Sequence, residues 1–552
     1  MGIRRIVTGS FLAVVLLASS ARAQYDDYGE YDDDEPPVSV NGSMSLQTGV
    51  FVPLISDGFQ AIPNKAYLDT VPESGPVPCD PVQNPTSACL PESHGKKPGS
   101  LSMGRATLQI EGDWFATEDV TLHAIVRAVR SMALEADEWA QPPIVYGVEE
   151  TTQVDRAARR AYSKEWVRNE LYNEFEFREL YVDVDAHDAL NLRLGRQQVA
   201  WGDLGQYRLL DVVNPSDTTW HFGPLESFED TRIPLWMAKA LIDIPAIEHN
   251  IELIWAPLLF DDPKDTVNVP LTFPGAWGLP YSNTPRSFVN EKVFLYPGGE
   301  LEDMRAGARW KGSLGTAFTY SLAYYYTHQY TPPVNIYMDW ATGTTNVEKF
   351  VLDFPRQHIA GFSFDYAFES PIATVVKFEA AVEPERFFPV PTTDFKPHPT
   401  IPGRLNFEPG NETAVTYAVQ LFRPTMIRFL NPTQSILLVA QFMHSMVPTL
   451  SEEDEKRLVD IPGFNKMYTK MHNYTIILAA RTDYFHGMLR PSLVGAWLPM
   501  DYGFYSINLA FRFGETWRVK LSATDFIGSD PYRSVGLFKD RDEVNLKVTC
   551  QF

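Results

Sequence analysis

Charged side chains of both signs cluster in one part of this 552-residue chain, between residues 178 and 232. The cluster comprises Arg178, Glu179, Arg193, Arg196, Asp211, Asp217, Asp230 and Arg232, with Gln197, Trp201 and Asn214 among them. Opposite charges pair when they leave water, and removing one partner strands the other. Two compatible interpretations follow. The cluster is an ion-pair network that holds a folded segment in place, or it is a constriction whose lining charges select a solute.

Basic residues form a second set, on segments in which apolar and polar positions alternate. We call this set the basic ladder; its members are Arg305, Arg309, Lys311, Arg512, Arg518, Lys520 and Lys547. One interpretation is a polar lining in which acids such as Asp365 and Glu379 neutralise the cations. The other is a path for anionic solutes, because anion-selective pores are lined by Arg and Lys.

Enzymatic chemistry has little support in the sequence. The histidines that could act as bases are His187, His328, His358, His472 and His486. None has a Ser or Asp at a spacing that suggests a nucleophile with its base and orienting group. A Gly-rich phosphate loop and a metal-spaced His cluster are also missing from the sequence. We therefore expect no catalytic residue, no cofactor and no metal site.

Strands must position these charged groups, as the last fifty residues show most clearly. Side chains at alternate positions of a strand point to opposite faces. Between Val544 and Phe552 one face is apolar and the other carries polar residues and Lys547. Phe513 and Trp517 bracket a turn, and the chain ends on Phe552. An apolar exterior, a polar interior and aromatics at the interface are typical of a transmembrane β-barrel. We expect the C-terminal strand with Phe552 to be the assembly signal for the barrel-assembly machinery.

The spacing of the strand-like runs supports a barrel of about 18 antiparallel strands, with 16 as the alternative. Most runs have about ten residues, the length that a tilted strand needs to cross a bilayer. Connections after even-numbered runs are short, apart from 423–434, and those after odd-numbered runs are long, apart from 499–501. Bacterial barrels have short periplasmic turns, long outer loops and an even strand count. The third outer loop, 202–234, carries most of the charge cluster, and we expect it to fold inward like a plug.

Flanking segments indicate export. Residues 1–23 have a signal peptide pattern, with Arg4 and Arg5 before a short apolar core and Ala21-Arg22-Ala23 at the cleavage site. Residues 24–37 are acidic, and we expect a disordered periplasmic tail, with calcium binding as a weaker alternative. The barrel would then occupy residues 38–552. The net charge of −23 argues against nucleic acid as a partner.

The three cysteines are consistent with an exported protein. Cys79 and Cys89 lie ten residues apart in a Pro-rich loop, and an oxidising compartment favours a disulfide between them. Cys550 falls on the apolar face of the last strand and is interpreted as a small apolar residue.

Four short motifs occur in order within the charge cluster. They are Arg178-Glu179-Leu180-Tyr181, RLGRQQVAWG from Arg193 to Gly202, LDVVNPSD from Leu210 to Asp217, and EDTRIPLWM from Glu229 to Met237. In these motifs the chain resembles the proteobacterial outer-membrane β-barrel family catalogued as domain of unknown function number 1302. The resemblance implies an integral outer-membrane protein in contact with lipid. The proteins often encoded beside such relatives also suggest a periplasmic lipid carrier and an inner-membrane exporter as partners.

The function that we expect from these features is passage of a small or amphiphilic solute across the outer membrane, with the third outer loop as the selective element. Two alternatives stay open. One is the outer-membrane component of an export route for lipids or hydrophobic compounds that works with periplasmic carriers. The other is a surface scaffold that conducts nothing.

Overall fold

The computed structural model describes most of the chain from Val38 to Phe552. The described residues are 38–52, 99, 101–132, 172–205, 208–268, 289–331, 334–339, 347–369, 372–388, 396–397, 404–407, 410–450, 471–499, 502–528, 538 and 541–552. The signal peptide (1–23), the acidic tail (24–37) and the Cys79–Cys89 disulfide are predictions that lie outside these residues.

Eighteen strands form one closed sheet. Their bounds are β1 (Val38–Phe51), β2 (Leu101–Thr117), β3 (Val120–Ser131), β4 (Asn173–His187), β5 (Leu190–Gln197), β6 (Leu235–Ile244), β7 (His249–Ala256), β9 (Arg305–Leu314), β10 (Phe318–His328), β13 (Arg356–Phe368), β14 (Thr374–Phe388), β17 (Gly410–Thr425), β18 (Ile436–Met446), β19 (His472–Arg481), β20 (Leu489–Leu498), β21 (Tyr502–Phe513), β22 (Trp517–Gly528) and β23 (Glu543–Gln551). The strands between these in the chain, β8 (Val289–Leu295), β11 (Val334–Asp339), β12 (Val347–Asp353), β15 (Lys396–Pro397) and β16 (Arg404–Phe407), form a separate five-stranded sheet.

Each barrel strand pairs antiparallel with the next barrel strand in the chain, and the first strand pairs with the last. At this seam the backbone NH of Gly42 donates to the carbonyl of Phe552 at 2.7 Å, and the NH of Phe552 donates to the carbonyl of Gly42 at 2.9 Å. Closure satisfies the backbone groups that an open edge would leave unpaired. The prediction of a closed antiparallel barrel of about 18 strands is confirmed.

The outer face of the barrel is apolar. Its exposed side chains are large and hydrophobic, with Trp255, Leu322, Phe362, Leu478 and Leu521 as examples around the ring. The residues next to them in sequence face inward, and these are polar or small, as at Ser321, Ser363 and Lys520, except where the inner apolar clusters contain Ile254 and Ile477. This alternation is the one that a barrel in a bilayer needs, because lipid contacts only the outer face.

Helical structure in the described residues lies in the connections. The described residues include one short α-helix, Phe228–Thr231, and 3₁₀ turns at Gly223–Leu225, Pro245–Ile247, Pro263–Thr266, Leu301–Asp303 and Phe485–Gly487. Among the described residues, none of the helices has the length and apolar character to cross a membrane.

The hydrophobic core lies inside the barrel, where residues of the long connection between β5 and β6 pack against the inner wall. We call this connection, residues 198–234, the plug loop. One cluster combines Leu204, Leu210 and Val213 of the plug loop with wall residues such as Tyr325 and Met443. A second cluster contains Ile477, Ala496, Phe504 and Phe526 of the wall, with Phe222 of the plug loop packed against it. The plug loop therefore folds inward.

Candidate functional site

The two ends of the plug loop are clasped together by one buried asparagine. The Oδ1 atom of Asn214 accepts a hydrogen bond from the backbone NH of Val199 at 2.7 Å. Its Nδ2 atom donates to the carbonyl of Ile233 at 2.9 Å and to that of Gln197 at 3.3 Å. The loop therefore leaves and rejoins the barrel wall at nearly one place, and the chain between forms a compact lobe.

Arg178 on β4 holds the last part of this lobe. Its Nη2 atom donates to the carbonyl oxygens of Asp230 and Arg232 at 3.0 Å each, and also to that of Glu229. The side chain is buried, so these carbonyls take the place of its water shell. The pairing of β3 with β4 shifts register beside Arg178, and this irregularity accompanies its inward direction.

Within the lobe, one buried carboxylate joins two arginines. Asp211 accepts from Arg208 Nε at 2.8 Å and forms an ion pair with Arg232 Nη2 at 2.8 Å. Arg208 also donates to the carbonyl of Asn214 at 2.9 Å. Charge-assisted hydrogen bonds of this kind are stronger than neutral ones, so this cluster stiffens the middle of the plug loop.

Glu379, a buried residue of β14, binds one side of the lobe by hydrogen bonds. Its Oε1 atom accepts from the backbone NH groups of Asp203 and Leu204, the latter at 3.1 Å. Its Oε2 atom accepts from the NH of Leu210 at 3.1 Å. A single carboxylate thus satisfies three backbone donors that no strand or helix partner satisfies.

Side chains on three more strands extend this attachment: Glu252 on β7, Arg309 on β9 and Tyr325 on β10. Tyr325 donates its hydroxyl to the carbonyl of Val213 at 3.1 Å. Trp201 donates from Nε1 to Glu252 at 2.9 Å, and Arg309 donates to the other oxygen of Glu252 at 2.7 Å. Arg309 also donates to the carbonyl of Trp201 at 3.2 Å.

The opposite side of the lobe attaches to β2, β21, β22 and β23. The ring of Phe222 lies 5.4 Å from that of Phe504 and 5.3 Å from that of Phe526, both edge-on. Beside it, His221 Nε2 lies 2.8 Å from Glu543, and His221 Nδ1 lies 3.2 Å from Glu226. Arg105 completes the group with a 3.0 Å bond to Glu226.

These contacts shift the ionisation of the two plug-loop groups. Burial alone would lower the pKa of His221, but the charge of Glu543 and the contacts of the imidazole with the carboxylates of Glu226 and Glu543 outweigh it and raise the pKa to about 9. Burial alone would raise the pKa of Glu226, but Arg105 and His221 hold it well below the usual range. At neutral pH both groups are charged, and the imidazolium donates from Nε2 to Glu543 and forms an ion pair with Glu226 through Nδ1.

The lobe approaches the wall most closely at two glycines. A Cβ atom on Gly361 would lie 2.5 Å from Leu210 Cδ2, and one on Gly307 would lie 2.6 Å from the ring of Trp201. Both distances are shorter than any packing contact permits, so only glycine leaves room for the plug loop at these positions.

Several residues that we expected in the plug network lie in the wall instead. Arg193 pairs with Asp183 at 2.6 Å and stacks over Tyr181, whereas Arg196 pairs with Glu176 at 3.2 Å. Gln197 is fully buried and donates to the carbonyl of Met237. In the plug loop, Asp217 accepts from the NH of Thr219, and the backbone carbonyl of Asp230 accepts from Arg178. In the wall, Glu179 faces His123. Of the expected charges, only Asp211 and Arg232 pair with each other.

The basic ladder divides into two parts. Arg305 and Arg309 are engaged, Arg305 with the carbonyl of Thr266 and the ring of Tyr330, and Arg309 with Glu252. In the described part of the chain no carboxylate pairs with the other members, which are Lys311, Arg512, Arg518, Lys520 and Lys547. Arg512 pairs in register with Arg518, and Lys520 with Lys547, so like charges face each other across β21, β22 and β23.

Four residues that the charge-cluster motifs did not include are central to the site. Glu252 carries a sequence signal, because it is the lone acid of a mostly apolar strand, whereas Glu379 shares β14 with Glu383 and Glu385. His221 and Glu226 have no such signal, since the partner Glu543 of His221 is 322 positions away in the chain. Among the described residues, the one group of three acids and histidines close enough to hold a metal ion is Glu111, Asp113 and His123, in the wall away from the plug loop.

A family model described as "Protein of unknown function (DUF1302)" matches residues 4–552. The chain belongs to this family. No curated protein sequence matches it. Among solved structures it is similar to Acinetobacter baumannii OccAB3, with 8% identity over 93% of this chain and 99% of that one and a TM-score of 0.42. It is also similar to the Pseudomonas aeruginosa outer membrane protein opdK (8% identity, 93% and 99% covered, TM-score 0.41) and to Pseudomonas putida OprB (10% identity, 94% of both chains, TM-score 0.38).

Family membership and the closed barrel give the location. The outer face is apolar around the ring, and both ends of the barrel chain lie at the side of the short turns. A chain of this kind is integral to the bacterial outer membrane, with lipid against its strands.

Proposed function

We propose that this protein is an outer-membrane channel for small or amphiphilic anionic solutes, and that the plug loop is its selective constriction. The observation that carries the proposal is the attachment of the plug loop on two sides of the barrel. A solute that crosses must pass between this loop and the wall, or displace the loop.

The positions of the attachment points around the ring support this constriction. The loop leaves the wall between β5 and β6. Glu379 lies on β14, the fifth strand beyond β6 in one direction, and Glu543 lies on β23, the fifth strand beyond β5 in the other. The lobe therefore extends across the interior instead of lining one side.

Anionic solutes are favoured by the basic-ladder members that form no ion pair with a carboxylate in the described residues, where Glu226 is a nearby acid that acts on Lys520 and Lys547. Like charges directly opposite on neighbouring strands are destabilising, and Arg512 with Arg518 and Lys520 with Lys547 form two such pairs side by side. A bound or passing anion relieves this repulsion, as in pores lined by Arg and Lys. The apolar cluster around Phe504 and Phe526 belongs to the same strands. A solute with an anionic group and an apolar body complements both surfaces.

Conductance tests the proposal. The purified protein would be incorporated into planar bilayers as the full chain, as a variant lacking residues 203–232, and as a control lacking 451–470 in another outer loop. We expect a small, anion-selective conductance for the full chain and for the control, and a several-fold larger conductance without the plug loop. Absence of conductance from both the full chain and the 203–232 deletion would refute the proposal.

A second candidate is the outer-membrane component of an export route for lipids or hydrophobic compounds. The apolar clusters inside the barrel favour it, because they would suit an apolar cargo once the plug loop moved. This route requires a periplasmic lipid carrier and an inner-membrane exporter as partners. Photo-crosslinkers at Gly514 and Glu515, in a turn on the periplasmic side, would capture such a carrier. A scaffold that conducts nothing would instead leave outer-membrane permeability unchanged when the protein is deleted.

A further inference from the structure

A histidine and three carboxylates meet on the inner wall of β2, β3 and β4, outside the plug loop. Strand pairing places His123 directly opposite Asp113 on β2 and opposite Tyr181 on β4. Glu111 lies two positions from Asp113 on the same face, and Glu179 two positions from Tyr181. Glu111, Asp113 and His123 each offer a ligand atom, and these atoms lie within 4.8 Å of one another.

Two contacts fix the orientation of the imidazole. Its Nδ1 atom lies 2.6 Å from Asp113 Oδ1, which favours a hydrogen bond from Nδ1 and leaves Nε2 as the ligand atom. The ring stacks on Tyr181 with centroids 4.6 Å apart, and Arg193 covers the tyrosine at 4.1 Å. His123 as a whole is 7% exposed. A metal-binding histidine needs this kind of support, because the carboxylate fixes both its tautomer and its direction.

Nε2 points between two further carboxylates. Glu111 Oε1 and Glu179 Oε2 each lie 4.0 Å from it, too far for a hydrogen bond. Ligands of one tetrahedral ion with bonds near 2.1 Å lie about 3.4 Å apart, so both glutamates have to turn toward Nε2 for one ion to bind all three side chains. Glu111 is free to make such a rotation, because 43% of its side chain is exposed.

The charges at this place do not balance. Glu111, Asp113 and Glu179 have no ion pair with Lys or Arg in the described residues, and His123 is the partner of all three. The nearby Arg193 is already paired with Asp183 at 2.6 Å. Arg178 donates to carbonyls of the plug loop. Even a charged imidazole leaves an excess of negative charge, which a divalent cation would neutralise.

We propose that Glu111, His123 and Glu179 bind a divalent transition metal ion such as Zn²⁺, with Asp113 orienting the histidine. A neutral imidazole nitrogen with carboxylate oxygens is a donor set that suits zinc better than calcium or magnesium, which prefer oxygen alone. The ion would join three neighbouring strands at the inner wall.

The test is Zn²⁺ binding to the untagged, EDTA-treated full chain in detergent, by calorimetry and by metal analysis after desalting. The variants are His123→Ala, Glu111→Gln and Asp113→Asn, with Glu118→Gln as the matched control, because Glu118 lies in the exposed turn of the same hairpin. We expect one Zn²⁺ per chain for the parent and for Glu118→Gln. Binding should weaken at least tenfold in Asp113→Asn and more in the other two variants.

The visible absorption of bound Co²⁺ reports on the ligands of the ion and is independent of the calorimetric measurement. With Co²⁺ in place of Zn²⁺ we expect a visible absorption band for the parent that is lost in His123→Ala. Glu111→Gln keeps the proposal testable should His123→Ala fail to fold, because Glu111 is half exposed. Equal Zn²⁺ binding by the parent and Glu111→Gln, or no stoichiometric Zn²⁺ in the parent, would overturn the proposal.

Discussion

Glu379 offers the sharpest test of how the plug loop is held. Its carboxylate accepts from the backbone NH groups of Asp203, Leu204 and Leu210, and it is fully buried. Replacing Glu379 by Gln keeps the shape but removes the charge and turns one acceptor into a donor. Two bonds then lose their charge assistance, and one buried NH group loses its acceptor.

The expected cost follows from the usual energies of such bonds. A hydrogen bond to a charged group contributes about 1 kcal/mol more than a neutral one, and an unsatisfied buried NH costs about 1–3 kcal/mol. The docked state of the loop should therefore lose about 3 kcal/mol or more. Because about 1.4 kcal/mol corresponds to a factor of ten, opening of this segment should become about a hundredfold more frequent.

Hydrogen–deuterium exchange of a peptide covering residues 203–213 measures this opening directly. The matched control is Glu383→Gln, the same change on the same inner face of β14. Glu383 interacts with Gln357 and Arg386 and not with the plug loop. We expect faster exchange in Glu379→Gln alone. Equal protection of residues 203–213 in both variants would show that Glu379 does not hold the loop.

Three further predictions concern the same loop and the wall beside it. The pKa of His221 is raised to about 9, so its contribution to docking is complete below its ordinary value near 6.5 and is lost as the pH rises through about 9. The pKa of Glu226 is depressed, so its contribution is present above its ordinary value near 4.5 and is lost in strong acid. The protection of residues 220–226 against exchange, corrected for the intrinsic pH dependence of amide exchange, should therefore be greatest between about pH 5 and pH 8, and His221→Gln should remove the loss of protection at alkaline pH. Lys520→Gln together with Lys547→Gln should lower anion selectivity in a reversal-potential measurement, with little change in the thermal midpoint. Gly361→Val should push Leu210 away from the wall and raise conductance. A lower Tm with unchanged conductance would contradict the claim that the close contact of Leu210 with Gly361 helps to narrow the path.

The barrel was predictable because lipid imposes a period of two on every strand. All eighteen runs correspond to strands, and the runs that alternation places at Leu235–Ile244 and Tyr502–Phe513 have the same bounds as β6 and β21. The differences occur where a strand meets a loop. Alternation in the sequence places the start of the second run at Ala106 and the end of the fifth at Trp201, whereas β2 begins at Leu101 and β5 ends at Gln197. At β5 the chain turns inward, because Asn214 and Glu252 bind the backbone and side chains of residues 199–201.

The site was predictable only in part. Sequence indicated that 202–234 folds inward, since charges that break the alternation have no place on the lipid face. It did not indicate the partners, because the bonds to Glu379 and Glu543 join residues 169 to 322 positions apart. The position of the hairpin turn does not by itself give the pairing of His123 with Asp113, because a register shift between Phe115 and Thr117 lies between these residues and the turn at 118–119. Spacing along the chain alone does not show it, because the residues meet across strands.

The account depends most on one claim, that the plug loop constricts the path through the barrel. Arg105→Cys with Glu226→Cys, in a background without the three native cysteines, places one thiol on the wall and one on the loop. A short reducible crosslinker between them fixes the loop to β2. Conductance of the same channels should be low while the crosslink is intact and should rise when a reductant releases it. A crosslinked protein whose conductance is unchanged on release would contradict the claim.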